Sequence, residues 1–422
     1  MFFATHSLTL EPANHWRKAF GMTRTDIIIL GGGLVGQTLA LALATHGITS
    51  AIVDPMDPAR AIAPGFDGRA SAIASASWNM LEVIGVAAAL APHGCAIHRI
   101  EVRDGLQSGA LDFTTAQKDD ALGTMLENRV LRQVLADRVV ATPAITRYVA
   151  LASDVVRDAA SVRVTLDSGE ALTAPLLIAA EGRNSPMRSA AGIRIAQWKY
   201  DHSAIISAFD HSLDHQNIAH EIFYPAGPFA LLPLKGGKRS ALVWTVAAKD
   251  AQGVLALSDR AFLAEIAKRS GGILGDVTLA ALRSSYPLGF HHTATITAER
   301  LALVGDAGHG IHPIAGQGLN LGFRDVAALT EVLVDGARLG LDLGEAQLLK
   351  RYERWRSVDS MAVAVATDSL TRLFGIPGKP ARAVRRFGLG AVQRIAPLKA
   401  AFMAEARGTS GALPKLLQGV GV

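Results

Sequence analysis

The plainest shortage in this chain is cysteine: one residue, Cys95, among 422. A single thiol excludes an internal disulfide and any cysteine-cluster metal centre, and makes a reducing cytoplasm the default compartment. The histidine pairs His291-His292 and His309/His312 lack further ligands at metal-binding spacing, so no metal site is expected. Internal repeats, low-complexity tracts and nucleic-acid motifs are also missing. Charged residues make up only 19% of the chain against 50% hydrophobic ones, which suits a globular protein and not a disordered one. The length allows a large core or two intimate domains. Charge of one sign is scarce in one place only. From Thr371 to the end there are nine Lys or Arg and a single acid, Glu405, a net +8; with +5 overall, residues 1–370 carry −3.

What is present begins with a run free of charge, Ile27 to Thr45, preceded by Arg17, Lys18 and Arg24. A signal anchor would look similar. Three consecutive glycines, Gly31 to Gly33, argue against a continuous spanning helix and divide the run. Asp26 to Leu30 reads as a buried strand, Gly31-x-Gly33-x-x-Gly36 as a turn, Gln37 to His46 as a helix closed by Gly47, and Ile48 to Val53 as a second strand ending at Asp54. This is the dinucleotide fingerprint in its strand–turn–helix–strand setting, with an acid placed for the adenosine ribose. Residues 1–21 show no sustained periodicity; 1–22 read as a disordered lead-in, Met22 is the expected physiological start with the upstream residues an extension, and the fold is expected to begin at Thr23.

A second glycine-rich stretch lies almost the whole fold away. Leu301 to Val304 is a short apolar strand that stops at Gly305-Asp306; a loop rich in Gly, His and Pro follows, and a helix runs from Leu319. Asp306 would point from the carboxyl end of a strand into a cleft, where it can accept hydrogen bonds from a polyol. Gly316 and Gly318 let backbone approach a flat ligand. The amides of Leu319 and Asn320 would belong to a helix start, worth up to ~2 kcal/mol to a partly buried anion such as the pyrimidine edge of a reduced flavin. A tight strand–loop–helix joint is the plainer reading. Two such motifs so far apart favour FAD, held at both ends, over a lone nicotinamide site.

His312-Pro313-Ile314-Ala315-Gly316-Gln317-Gly318-Leu319-Asn320-Leu321-Gly322, followed by Arg324-Asp325, resembles the flavin-contacting signature of the ubiquinone-biosynthesis hydroxylases. These are class A flavin monooxygenases similar in fold to para-hydroxybenzoate hydroxylase, and the resemblance runs from Thr23 onward. It implies that Pro313 and Gly316 position the flavin ring and that Gly305 and Asp306 hold the ribityl chain. It also implies that Arg69, in a segment (Asp67 to Ala74) expected to open a helix, lies near the flavin and the nicotinamide entry. Asn128 and Arg129, in Glu127-Asn128-Arg129-Val130-Leu131, resemble the segment that touches the ribityl chain. Glu181-Gly182-Arg183-Asn184-Ser185-Pro186-x-Arg188 resembles the family's Asp-Gly motif, with Glu in place of Asp. Arg183 and Arg188 can hold a phosphate or pair locally.

The implied fold is α/β: a Rossmann-like FAD domain in separated segments (23–98, 116–190, 285–335), an inserted β-sheet substrate domain (99–115 and 191–284) and a C-terminal helical region (336–422). Strands are expected at 97–102, 110–114, 204–209, 218–224, 229–234 and 240–246, with a hairpin and a further strand between Val162 and Leu177. Phe223, Phe229 and Leu231 suit either an aromatic pocket or sheet core. The implied reaction is hydroxylation of the aromatic ring of a polyprenylated phenol through a flavin hydroperoxide, with O2 as co-substrate and NAD(P)H as donor; no side-chain base is evident. The alternatives are a hydroxylase of a small soluble phenol and a flavoprotein scaffold in a quinone-biosynthesis complex. A homo-oligomer is compatible with either. From Val384, Phe387, Val392, Ile395, Leu398 and Phe402 alternate with Arg385, Arg386, Arg394 and Lys399. That spacing fits a basic amphipathic helix, packed on the body or held peripherally at the inner face of an anionic membrane at ~1 kcal/mol per basic residue.

Overall fold

The structure, a computed structural model, describes residues 22–61, 67–106, 111–115, 121–310, 317–357 and 394–422. Pro313 and Gly316 lie outside these residues, as do the lead-in and most of the basic helix between Val384 and Gln393.

Ile27-Ile28-Ile29-Leu30 forms a strand buried on both faces, as its unbroken apolar run requires. It sits inside a six-stranded sheet in the order 297–298, 301–303, 176–179, 27–30, 50–53, 145–148. All neighbours are parallel except the 297–298 edge. Because strand 27–30 pairs with 50–53 on one side and 176–179 on the other, the sheet reverses its direction of growth there. The crevice at the strands' carboxyl ends is where such sheets bind ligands. Three loops open at that end: Gly31 to Gly33, Glu181 to Ser185, and Gly305 to Gly308. The helix Leu34–Thr45 carries no charged residue and is buried over Gly36 to Leu43, so it lies within the domain. Met22–Arg24 pairs parallel with Ala171–Ala174 in a separate four-stranded sheet.

The second large sheet has its strands in the order 309–310, 284–293, 195–211, 239–247, 227–234, 218–224, 99–104, 111–114, with 277–279 alongside 195–211. One face buries Phe209, Phe229, Leu231 and Trp244 under Phe262 and Ile266 of the helix Asp259–Ser270. Phe229 and Leu231 are therefore core, whereas Phe223 points to the opposite face. That face, through Ala219, Leu232, Leu234 and Val102, meets a small sheet of Ala70–Ala74, Gly123–Glu127 and Cys95–Ile97.

Three expectations need correction. The segment from Ala70 is a strand, not the start of a helix; the helix begins at Ser75. Ala-Ser-Ala-Ile-Ala has no period to separate the two states, and antiparallel pairing with Gly123–Glu127 decides it. A boundary at 285 would cut strand 284–293 from strand 195–211, with which it pairs over most of its length. The C-terminal region 336–422 is not continuously helical among the described residues. The helix Gln317–Arg338 stops, residues 346–357 resume, and after Ala396–Ala406 the chain ends in turns and a short 3-10 segment. Tyr352, Leu416 and Leu417 are buried in the same core as the parallel sheet.

Candidate active site

The glycine turn is built from three unlike glycines. Gly31 has φ +105°, and a Cβ there would lie 2.4 Å from the Ala180 carbonyl oxygen; one on Gly36 would lie 2.0 Å from that of Gly31. Both positions serve close packing of helix on sheet. A Cβ on Gly33 would meet nothing within 4 Å. Gly33 starts the helix 34–45 with no capping side chain and no acid in the first turn, so the helix-start amides face open space. Asp54 accepts the Gly32 amide at 2.5 Å and the Met56 amide at 2.7 Å, one on each oxygen, which fixes its carboxylate beside the turn.

Two arginines join this end, neither singled out by the sequence. Arg147, on strand 145–148, lays its guanidinium against Gly32: a Cβ there would fall 2.7 Å from Nη2. Nη2 donates to the Met56 carbonyl, while Nε and Nη1 are buried without a partner among the described residues. Arg132, one turn into the helix Asn128–Val140, has a buried Nε in the same condition. Burial lowers the pKa of both, and Asp54 lies near enough to oppose the shift. Two cations with unused donors beside a glycine turn suit a diphosphate. Nothing in Thr-Arg-Tyr distinguishes Arg147 from a solvated arginine until the sheet order sets it beside Gly32.

At the other end, Gly305 (φ +60°) and Gly322 both back onto Val35, whose Cγ2 would lie 3.2 and 2.9 Å from their Cβ atoms. These contacts pin the starts of helices 34–45 and 317–338 to one loop. Asp306 is exposed yet hemmed in by protein, and burial pushes its carboxyl up despite Arg183 and His309 nearby. Its position is the floor of a cleft. Gly318 has open space where a Cβ would go, and Leu319 is half-buried. The Asn320 side chain is committed to strand 70–74, accepting from the Ala74 amide at 2.9 Å and donating to the Ala72 carbonyl at 2.8 Å.

Along the cleft wall Arg69 is ion-paired with Asp67. Asn128 accepts from the Ser71 hydroxyl at 2.7 Å, and Arg129 is paired with Glu127. Glu181 accepts from the Ser185 hydroxyl at 2.6 Å and the Met187 amide at 3.1 Å, and burial raises its pKa in spite of them. The longer side chain thus folds back onto the 186–190 helix. Arg188 is buried and donates to the carbonyls of Ala307 and Arg183, while Arg183 donates to that of Gly289. The local-pairing alternative holds for both arginines.

A space without a Cβ over Gly33 and Gly318, uncapped helix amides, unused guanidinium donors at one end and an accessible acid at the other fit a dinucleotide with a flat head. Residues 24–367 match the family described as the FAD binding domain. The chain is 43% identical over 399 residues to ubiquinone hydroxylase UbiL of Rhodospirillum rubrum, covering 94% of this chain and 93% of that protein. It is 36% identical over 378 residues to the 3-demethoxyubiquinol 3-hydroxylase of Escherichia coli, covering 89% and 96%. This chain belongs to the ubiquinone-biosynthesis hydroxylase family. It is an FAD-dependent monooxygenase of the para-hydroxybenzoate hydroxylase-like fold. The p-nitrophenol 4-monooxygenase from Pseudomonas putida superposes with a TM-score of 0.75 at 16% identity, over 93% of this chain and all of that one. Among the described residues no cluster of His, Cys, Asp and Glu could hold a metal, and no helix is long and apolar enough to cross a membrane.

Proposed function

We propose that this family member hydroxylates the aromatic ring of a polyprenylated phenol in ubiquinone biosynthesis, with O2 as co-substrate and NAD(P)H as donor. The observation that carries the reading is near-full-length similarity to two hydroxylases whose names specify a quinone or quinol.

Gly31, Gly33 and Gly36 would admit the pyrophosphate to the amides of helix 34–45, with Arg132 and Arg147 supplying positive charge and Asp54 the ribose contact. Asp306 would receive the ribityl hydroxyls beside Gly305, and Arg69, Asn128 and Arg129 would line the cleft near the flavin. The amides following Gly318, at Leu319 and Asn320, would face the pyrimidine edge, with Pro313 and Gly316 at the ring. When bound, FAD supplies the activation of O2; the chain supplies position, dryness and electrostatics. Turnover with prenylated phenols against the same phenols lacking a tail tests the substrate class. A kcat/KM at least tenfold higher for the tailed compounds supports it, and parity or the reverse order points to a small soluble phenol.

A further inference from the structure

The substrate sheet carries an acid that its own packing does not explain. Glu221 stands in the middle of strand 218–224, opposite Val102 on one neighbour and Ala230 on the other. The row continues through Val243 and Ile206, each the pairing partner of the one before. Val102 belongs to the apolar cluster shared with Ala70, Ala72 and Met125, so Glu221 points toward the small sheet, at whose 70/127 end the chain runs on to Arg69 and Asn128. Its side chain makes no hydrogen bond or ion pair among the described residues, yet it is half-buried and not sealed off.

A Glu in such a place costs stability twice: it is a poor strand former, and its carboxylate is desolvated without a partner. Ala or Val would suit the row better. A local rule broken with no structural return marks a functional position. Burial alone pushes the Glu221 carboxyl up to about 7, so it can change protonation state at neutral pH. The charged and titratable groups on this face and on the surfaces packed against it are Asp104, Cys95, the Glu127–Arg129 pair, the Arg239–Asp210 pair, and Lys399 and Glu405 on the helix whose Met403 joins the cluster; none contributes to the shift.

We propose that Glu221 meets the ring hydroxyl of the phenol, accepting its hydrogen bond and then its proton. The phenolic O–H bond breaks, an O–H bond forms on the carboxylate, and the electron pair stays on the phenol oxygen. There it enriches the ring carbons that are to be oxygenated. The proton later leaves Glu221 for water through its exposed edge. This assignment rests on the reading of the substrate as a phenol.

The test uses FAD-loaded protein and three forms: wild type, Glu221→Gln and Glu221→Ala. Binding of a prenylated phenol and of its O-methyl ether is followed by perturbation of the flavin spectrum, which needs no turnover. Wild type should prefer the phenol, and Glu221→Ala should bind both alike. In turnover, Glu221→Gln should lose 10²- to 10⁴-fold in kcat with FAD affinity unchanged. The rise of wild-type rate with pH through about 7 should vanish, and acetate should partly restore Glu221→Ala. An unchanged phenol-to-ether ratio in Glu221→Ala, or a Glu221→Gln enzyme with wild-type kcat and pH profile, overturns the assignment. A wild type that shows the preference but oxygenates no phenol keeps the contact and overturns the reaction instead.

Discussion

Asp325 and His309 meet at 2.6 Å, carboxylate to Nε2, with both side chains almost wholly removed from solvent. The same carboxylate accepts the Gly305 amide at 2.8 Å and the Arg356 Nε at 2.7 Å. Burial alone would raise the pKa of Asp325; His309 and Arg356 together hold it below the ordinary carboxylate value. One side chain of helix 317–338 thus holds the loop that presents Asp306.

Asp325→Asn should therefore be costly. Removing one member of a buried ionic network leaves uncompensated charge, at roughly 3–5 kcal/mol. Denaturant unfolding should show that loss, and FAD affinity should fall with it. A variant as stable as wild type would show that the network does not hold the loop.

His291 donates from Nε2 to the Asp306 carbonyl at 2.8 Å and is 2% exposed. Burial, ahead of the charges of Arg183 and Arg188, lowers its pKa to about 4. The unfolded chain, with an ordinary value near ~6.5, takes up the proton first. Its contribution is complete above about 6.5 and is lost as pH falls toward about 4, amounting to about 3 kcal/mol at the acid end. His291→Gln should lose less stability than wild type between pH 7.5 and 4.5, and equal losses would remove His291 from the account.

The glycines of the turn separate folding from binding. Gly36→Ala would drive a methyl to 2.0 Å from the Gly31 oxygen and should lower both unfolding temperature and FAD affinity. Gly33→Ala meets no protein atom, so it should fold normally and bind FAD weakly. If Gly33→Ala binds FAD as wild type does, the pyrophosphate lies elsewhere.

Arg147→Met should weaken FAD about tenfold or more and leave riboflavin, which lacks the diphosphate, unaffected. One charge-assisted hydrogen bond of ~1.5–3 kcal/mol sets that scale. Equal weakening of both ligands, followed by flavin fluorescence on apoprotein, would assign Arg147 to the fold and not to the phosphate.

The parallel sheet was legible because Ile27 to Leu30 and Leu301 to Val304 are short apolar runs ending at glycine, a local signal. In the candidate site, Gly33 and Asp306 stood out for the same reason: they sit beside motifs with fixed spacing. Arg132, Arg147 and Glu221 were not, because their meaning comes from sheet order and from which face of a strand points inward. In Ala-His-Glu-Ile-Phe the acid looks like the polar member of an alternating strand. Only the register with Val102 and Ala230 places it on the apolar side. The Asp67 to Ala74 segment misled for the opposite reason, since small residues carry no period and the partner strand is fifty residues away.

The most direct measurement is oxygen transfer itself. FAD-loaded protein is given a prenylated phenol, NADH or NADPH, and isotopically heavy dioxygen, and the product is analysed by mass spectrometry. The account predicts one heavy oxygen atom on the ring and none when Asp306→Ala replaces the wild type. Bound FAD that is reduced and reoxidised, with no labelled ring product from any tailed phenol, would contradict it.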